Sequence, residues 1–330
     1  MITCCLSLLA GAQVFPHHIK EDGLLGKVKK ISVVNNDESR ELYMYNEEGW
    51  QTERWFFKPV GVLDHRYKAV YNEEGQLVAE TKFDKGIAPV LRYTYGYNDK
   101  GLLIGRSLHS QNNTLLEKFI YEYDPAKRKT NSIKLDQYGN ILNKDSISYR
   151  GEGKEISYIR STDLNGTNLS MEYIYDPSGK LSATRSLMNG VLRSQMLFSY
   201  KNNEEERQMF GINGKLEEIV KYDTNRRVKS VAHFLQDGKL QSKEEYIFDN
   251  YGNMLEETKL DGMDRVAVRL TYKYDSLNNK IETKRYYGQT NADITLSWQY
   301  EYDATGNWIK RTEMLDGVLR QTIKREIEYY

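Results

Sequence analysis

Cysteine and histidine, on which most metal and thiol sites depend, are scarce in this sequence of 330 residues. The two cysteines, Cys4 and Cys5, both lie at the start of the chain, so the rest of it can form neither disulfides nor thiolate sites. The five histidines are His17, His18, His65, His109 and His233. They do not recur at a regular interval along the chain. No pair of them has zinc-ligand spacing together with acidic residues or cysteines. We therefore predict no metal site and no cofactor.

Catalytic motifs are missing as well. The sequence contains no glycine-rich phosphate loop, no Gly-x-Ser-x-Gly nucleophile elbow and no His-Glu-x-x-His helix. We predict that the protein is not an enzyme. The alternative is a carbohydrate-active enzyme whose site is assembled from scattered Asp, Glu and Tyr side chains. Its signature would be a cleft with two carboxylates about 5–9 Å apart.

An excess of charge of one sign is the next absence. Lysine plus arginine and aspartate plus glutamate both number 47, which gives a formal net charge of zero. Nucleic-acid binders usually carry a basic patch, so we do not expect a nucleic-acid partner. After the first residues, no apolar run is long enough to span a bilayer, and we predict no transmembrane segment in the mature chain.

The first twelve residues have the composition of a secretion signal. Residues 2–11 form an apolar run with small residues, and residues 10–12 (AGA) fit a small-x-small cleavage site. The run is short and no lysine or arginine precedes it, so we interpret residues 1–12 as a signal peptide truncated at its start. We expect export to the periplasm, the cell surface or the medium. A lipid anchor on Cys5 is not favoured, because almost no apolar residues precede it.

What the chain has in abundance is tyrosine, with 26 copies, arranged in units that recur about every 26 residues. The central aromatic residues of eleven units are Tyr45, Tyr71, Tyr97, Tyr123, Tyr149, Tyr175, Tyr200, Tyr222, Phe248, Tyr274 and Tyr302. Tyr329 begins a twelfth unit. Self-similarity at a fixed period of this length is the signature of a repeat architecture.

Each unit reads as a strand that ends in a turn. Residues 173–179 (YIYDPSG) show the pattern, in which two aromatic residues spaced by two point to the same face of a strand. The following Asp or Asn caps the turn by bonding the backbone, and the glycine takes a positive φ. Because a spacing of 26 is even, we predict that the aromatic residues of all units lie on one face of a sheet and form a ladder.

A second turn lies midway between these units, as Asn165-Gly166 and Asp237-Gly238 illustrate. Each repeat then holds two antiparallel strands. We predict an all-β fold, an extended antiparallel meander of about 22 strands in a curled or spiral single sheet, with the tyrosines on its concave side. Residues 13–42 would cap an array formed by residues 43–330. Charges on both predicted edge strands, 27–34 and 323–329, favour a monomer.

The pattern Tyr-x-Tyr-Asp-x-x-Gly-Asn at residues 300–307 (YEYDATGN) resembles the YD repeat of Rhs and teneurin-type proteins. The resemblance covers about residues 40–330 and implies a sheet of β-hairpins that coils, in large members, into a hollow shell, in secreted or surface-exposed proteins. Those members end their shell with a distinct Asp-Pro motif and a toxic domain. Here Asp176-Pro177 lies in an ordinary repeat turn. The chain is similar instead to short, exported, stand-alone bacterial YD-repeat proteins.

Four tryptophans, Trp50, Trp55, Trp298 and Trp308, lie near the two ends of the array and are the candidate binding residues. Exposed aromatic side chains on a rigid sheet suit stacking on sugars or burial in a protein partner. The alternative is structural, because Trp50 and Trp308 follow a turn where other repeats place apolar residues, namely Leu77, Leu103, Leu181 or Met254.

The repeats, the export signal and the missing catalytic motifs together predict a function. We predict a non-catalytic extracytoplasmic scaffold or binding module whose ligand is a glycan or a protein of the cell envelope, because repeat sheets present extended binding surfaces. The alternative is a reduced shell or adaptor of a toxin or effector system.

Overall fold

The computed structural model describes residues 18–85 and 88–330 and shows an all-β protein. The predicted signal peptide, both cysteines and His17 lie outside these ranges. Apart from one short 3-10 helix, Pro59–Gly61, the described elements are strands. They are β1 (Val28–Val34), β2 (Arg40–Tyr45), β3 (Gln51–Phe57), β4 (Leu63–Tyr71), β5 (Leu77–Asp84), β6 (Pro89–Tyr97), β7 (Leu103–Ser110), β8 (Leu115–Tyr123), β9 (Lys129–Asp136), β10 (Ile141–Tyr149), β11 (Ile156–Asp163), β12 (Asn168–Tyr175), β13 (Leu181–Met188), β14 (Val191–Lys201), β15 (Glu204–Phe210), β16 (Leu216–Tyr222), β17 (Val228–Phe234), β18 (Leu240–Phe248), β19 (Met254–Asp261), β20 (Val266–Tyr274), β21 (Lys280–Tyr287), β22 (Ala292–Tyr302), β23 (Trp308–Leu315) and β24 (Val318–Tyr329).

The turn after most repeat aromatics, though not after Tyr149 or Tyr200, has the chemistry that the sequence predicts. Asp176 accepts a hydrogen bond from the backbone N–H of Lys180 at 2.9 Å, and its backbone carbonyl accepts one from Gly179 at 3.0 Å. Gly179 has a φ of +87°, which a residue with a Cβ adopts only at a cost. The hydroxyl of Ser178, followed by the N–H of Lys180, lowers the pKa of Asp176. The repeated Asp is therefore a turn cap.

The register of the strands confirms that the repeat aromatic residues share one face. In the β4–β5 pair, Val70 lies opposite Ala79 and Tyr71 lies opposite Leu77, so one extra residue forms a bulge. The same offset follows most of the repeat aromatics. Followed strand by strand around the sheet, the pairs keep the repeat aromatics on one side of it. We call this side the tyrosine face.

The hydroxyl groups of these tyrosines tie neighbouring repeats together. Tyr97 donates a hydrogen bond to the carbonyl of Leu77 at 2.9 Å, and Tyr123 donates one to that of Leu103 at 2.8 Å. In each case the acceptor is the residue opposite the preceding repeat aromatic, where the register shifts at the bulge. The next tyrosine thus bonds the backbone at the bulge. The ladder is thus both a packing and a hydrogen-bonding device.

The sheet does not stay open, so the predicted curled or spiral single sheet is wrong. β1 pairs with β2 on one side and with β24 on the other, with Ile31 opposite both Tyr43 and Ile327. All 24 strands therefore form a closed antiparallel barrel, which we call the ring, and we call the β24–β1 contact the seam. The described residues form 24 strands and not about 22, because residues predicted to cap the array supply β1 and the first half of β2.

Charges on the two joined strands are compatible with their pairing. Lys29 of β1 and Glu328 of β24 form an ion pair at 2.9 Å. Considered separately, the charges of each edge strand indicate an edge that avoids pairing with other chains. Across the seam, Lys29 and Glu328 have opposite charges and attract each other. Closure also supplies partners for the backbone groups of both edges. The prediction of a monomer was based on charged open edges, which the closed ring does not have. The oligomeric state therefore stays a prediction.

The tyrosine face is the inner face of the ring. Alternate residues on the other face, such as Arg92, Lys118 and Lys144, are exposed, while Tyr93 and Phe119 on the tyrosine face are half-buried. Side chains on the inside of a closed sheet converge, which accounts for the difference. Eight strands enclose just enough space for their own side chains. Twenty-four strands spaced about 4.8 Å apart and tilted by about 40° enclose a ring roughly 45–50 Å across, so these side chains line a lumen.

The described residues contain two buried apolar clusters, a small one of Ala69 and Leu77 and a larger one near the seam. Leu24, Val28, Ile31 and Tyr45 form a buried cluster in which Leu24 comes from the segment before β1. Residues 18–26 lie against the inner face there, and the backbone of Leu25 bonds the Asn307 side chain in both directions at 2.8 Å. Within residues 18–85 and 88–330, no helix has the length and apolarity to cross a membrane.

Candidate functional site

A cavity of about 330 Å³ opens on the inner face at the seam, and we call it the seam cavity. It is lined by side chains from both ends of the array and by residues of the segment before β1. Among the lining residues are Ile31, Tyr43, Arg54, Trp308, Arg311 and Arg325. Because β1–β3 and β23–β24 meet only when the ring closes, this cavity depends on closure.

The strand register places the three arginines on the inner face. Arg54 of β3 pairs with Tyr43 of β2, and Arg325 of β24 pairs with Val33 of β1. Arg311 of β23 pairs with Tyr300 of β22. Alternation along each strand then directs all three guanidinium groups to the side of the tyrosines. Asp22 and Leu24, from the segment before β1, form another wall of the cavity.

Arg325 and Arg311 share one aromatic neighbour. The guanidinium carbon of Arg325 lies 3.4 Å from the centroid of the Trp308 ring, and that of Arg311 lies 5.6 Å from it. Burial, and then the positive charge of Arg311, lower the pKa of Arg325 to about 10. The Nε atoms of both arginines are covered and have no hydrogen-bond partner in the described part of the chain. This corner of the cavity therefore holds two cations that repel each other.

Two carboxylates also line the cavity, and tyrosine hydroxyls bind both. Tyr45 donates a hydrogen bond to Asp22 at 3.0 Å, and Tyr43 donates one to Glu41. Burial, followed by the bond to Glu41, raises the pKa of Tyr43. Burial, followed by the charge of Asp22, raises the pKa of Tyr45. Both hydroxyls therefore stay protonated and act as donors.

Of the four tryptophans that the sequence singles out, two lie on the inner face. Trp308 stands opposite Tyr302 and lines the seam cavity. Its place matches that of Leu77 opposite Tyr71, as the structural alternative requires. Trp298 stands opposite Glu313, and its indole N–H donates to that carboxylate at 3.0 Å.

The other two tryptophans lie apart from the cavity. Trp50 stacks on Tyr71 with ring centroids 5.7 Å apart and meets His18 edge-on at 4.9 Å. Register places Gln51 and not Trp50 opposite Tyr45, so Trp50 is one residue nearer the turn than the sequence pattern suggests. Trp55 is on the outer face, where the guanidinium of Arg66 lies 4.9 Å from its ring. All four tryptophans are partly buried, and their binding role stays a prediction.

A buried acid lies further along the inner wall. Glu80 of β5 is only 2% exposed, and its Oε2 atom has no hydrogen-bond partner in the described residues. It stands opposite the small Ala69 on one side and opposite Tyr93 on the other. Burial raises the pKa of Glu80 to about 7, although the charges of Arg54 and Arg106 oppose the shift. The inner wall thus carries ionisable side chains outside the seam cavity as well.

The arginines are the functional candidates that the sequence pattern did not single out. Arg54, Arg106 and Arg311 each follow a repeat aromatic by nine residues, and that position faces inward in the register. This shared spacing from a repeat aromatic could have identified them in the sequence. That Arg325 joins two of them could not be read from the sequence, because it depends on closure. In the described ranges, no three His, Cys, Asp or Glu side chains are grouped as metal ligands.

Comparison with known proteins gives likenesses of shape only. No family model matches the chain, and no curated protein matches it. Among solved structures, the crystal structure of TcdB2-TccC3-Cdc42 is similar over 84% of this chain and 17% of that one, with a TM-score of 0.41 and 13% identity. A porin-like protein from Bacteroides uniformis is similar over 92% of this chain and 98% of that one, with a TM-score of 0.23 and 12% identity.

A third likeness is to TcdB2-TccC3 without its hypervariable C-terminal region, over 87% of this chain and 21% of that one, with a TM-score of 0.21 and 10% identity. The chain thus spans about a fifth or less of the two TcdB2-TccC3 chains. Scores this low assign neither a family nor a function. Membership of the YD-repeat family stays a prediction that rests on the repeat itself.

Proposed function

We propose that the protein is a non-catalytic, extracytoplasmic binding module that holds a glycan or an envelope protein against the inner face of its ring. The observation that carries this proposal is the closed sheet, whose repeat aromatics all face a lumen too wide for its own side chains to fill. Aromatic side chains fixed in a rigid wall are good binding surfaces, because little conformational entropy is lost when a ligand contacts them.

The inner wall also offers hydrogen-bond donors and acceptors beside the rings. Tyr272 lies two residues before the repeat aromatic Tyr274. Its ring centroid is 4.4 Å from the Lys280 ammonium, and its hydroxyl donates a hydrogen bond to Glu257 at 3.3 Å. A few polar groups among aromatic surfaces are typical of ligand sites, since they fix the orientation of what binds. The outer wall, by contrast, presents mainly solvated charges at its alternate positions.

A matched pair of tyrosines on adjacent strands tests the proposal. Tyr272 of β20 faces inward, and Tyr286 of β21, opposite Arg269, faces outward. Thermal melts would first show that the wild type, Tyr272→Ala and Tyr286→Ala are all folded. Binding of the three proteins to glycan arrays and to solubilised cell-envelope proteins would then be compared. We expect a ligand whose binding is weakened by Tyr272→Ala and kept by Tyr286→Ala. Equal losses in the two variants, or steady turnover of a bound glycan, would contradict the proposal.

A second candidate is a reduced shell or adaptor of a toxin or effector system. The observation that favours it is the width of the ring, roughly 45–50 Å, which is enough to surround a polypeptide segment. Its test is genetic: the coding neighbours in related genomes should include an immunity protein, a secretion apparatus or a separate toxic domain. Their consistent absence would remove this candidate and leave the first untouched.

A further inference from the structure

The seam cavity gathers more positive charge than its own carboxylates balance. Three arginines and two acidic residues line it, so its formal charge is +1 when all five are ionised. The acidic residues are bound by Tyr43 and Tyr45, as described above. Arg311 and Arg325 form no ion pair with any residue of the described ranges. A single carboxylate would bring the formal charge of this lining to zero.

The geometry of the cations also indicates a planar acceptor. Guanidinium groups offer a fixed fork of N–H donors that fits the two oxygens of a carboxylate. Arg325 is held flat by its 3.4 Å approach to Trp308, so its orientation is set before anything binds. Its Nε and that of Arg311 are covered and have no hydrogen-bond partner among the described residues, so a ligand would meet the terminal nitrogens of the two groups and not these atoms. An incoming carboxylate would reduce the repulsion between the two cations.

The remaining walls of the cavity are apolar or aromatic. Leu24, Ile31, Val33 and Ile323 line it together with Trp308. Ile31 and Leu24 belong to the buried cluster at the seam, so this wall is rigid. A volume of about 330 Å³ lies at the lower end of the range for small-molecule sites. The wall therefore suits a compact apolar or aromatic body attached to the acidic group.

From these observations we infer that the seam cavity is a binding site for a small monocarboxylate with an apolar or aromatic body, held by Arg311 and Arg325. The inference rests on the proposed function as a binding module and names the ligand class for one part of the inner face. The carboxylate would lie between the two guanidinium groups, and the body would lie against Ile31 and Ile323.

Calorimetric titration of the full chain at pH 8.5 with three probes tests the inference. The probes are benzoate, its neutral analogue benzamide, and inorganic phosphate, which is predominantly dianionic at this pH. We expect one benzoate to bind per chain. The affinity for benzamide should be at least tenfold lower, and the affinity for phosphate should also be lower than that for benzoate. Equal affinities for benzoate and benzamide would overturn the inference, and tighter binding of phosphate would overturn the choice of a monocarboxylate.

Variants locate the site. Arg325→Gln and Arg311→Gln should each weaken benzoate binding at least tenfold. The control is Arg285→Gln, because Arg285 also faces inward and sits 5.9 Å from an aromatic ring, that of Tyr287, but lies outside the cavity. The control should change the affinity less than twofold, and an equal loss there would overturn the assignment.

The outcomes also separate this inference from the proposed function. If either cavity variant fails to fold, as judged by circular dichroism, the other variant and the probe series on the wild type still decide. A ligand found on the arrays that depends on Tyr272, combined with no benzoate binding, would leave the proposed function standing and reject this site. Benzoate binding without any array ligand would support the site alone.

Discussion

The seam and the far side of the ring are built from the same repeat but are packed differently. At the seam, Leu24, Val28 and Ile31 are almost fully covered. Between β10 and β20, the covered side chains are mostly polar or small: Asp145, Ile147, Ser161, Ala183, Glu205 and Thr258. The difference comes from residues 18–26, which lie on the inner face only at the seam. The repeat alone thus makes a wall that is mostly half-buried, and a second layer is needed to make a larger core.

The largest expected effect comes from matched isoleucines in the two regions. Ile31→Ala at the seam removes a side chain that is 3% exposed, and we expect the free energy of unfolding to fall by about 3–4 kcal/mol. Ile159→Ala on the inner face of β11 removes a half-buried side chain and should cost about 1–2 kcal/mol. Urea unfolding measures both, and equal losses would show that the far side is as well packed as the seam.

The next effect concerns pH and the crowded wall near β5. Burial raises the pKa of Glu80 to about 7 in the folded state, from an ordinary value of 4.5. The folded protein then holds a proton that the unfolded chain has lost, so stability should fall as pH rises from about 4.5 to 7, by about 3 kcal/mol. Glu80→Gln should remove this slope in urea unfolding at pH 5 and pH 8. An unchanged slope would assign it to other groups.

Two turn glycines sharpen the comparison further. Gly49 and Gly179 have φ of +90° and +87°, but a Cβ on Gly49 would lie 2.8 Å from His18 and 2.9 Å from Ile19, while one on Gly179 would meet nothing within 4 Å. Gly179→Ala should cost about 1–2 kcal/mol from backbone strain alone. Gly49→Ala should cost about 1 kcal/mol more, because it also displaces the segment before β1. Thermal melts of the two variants test this, and equal shifts would mean that the segment adds little stability.

The smallest effect is a gain of stability on the far side. Tyr149 donates a hydrogen bond to the carbonyl of Lys129 at 2.8 Å, and Arg128 covers its ring at 4.6 Å. Phe248 is covered by Arg227 in the same way, at 5.0 Å, but has no hydroxyl. Phe248→Tyr should therefore raise the free energy of unfolding by about 1 kcal/mol, and Tyr149→Phe should lower it by a similar amount. A destabilised Phe248→Tyr variant would show that the carbonyl of Val228 is out of reach.

The sequence was sufficient for the properties that depend on local spacing. The even interval from Tyr71 to Tyr97 determines that both face the same side, and Asp176 with Gly179 determines where the strand ends. These follow from alternation along a strand and from turn chemistry, which involve neighbours in the sequence.

Closure and the seam cavity could not be predicted in this way. The charges of Lys29 and Glu328 are complementary only once the register between strands at opposite ends of the chain is known. Arg311 and Arg325 likewise meet Arg54 only across the seam. Twist shows that a sheet this wide must coil or close, but the choice depends on the sum of small offsets over 24 strands.

Closure also has a consequence for how the chain folds. Each of the other pairings joins strands that follow each other in the sequence, whereas Ile31 meets Ile327 across about 300 residues. Local hairpins form fast, but bringing the ends of so long a segment together costs about 5 kcal/mol of chain entropy plus a constant. The seam should then be the last contact to form. The contact that costs the most chain entropy is therefore the one that the buried cluster of Leu24, Val28 and Ile31 stabilises.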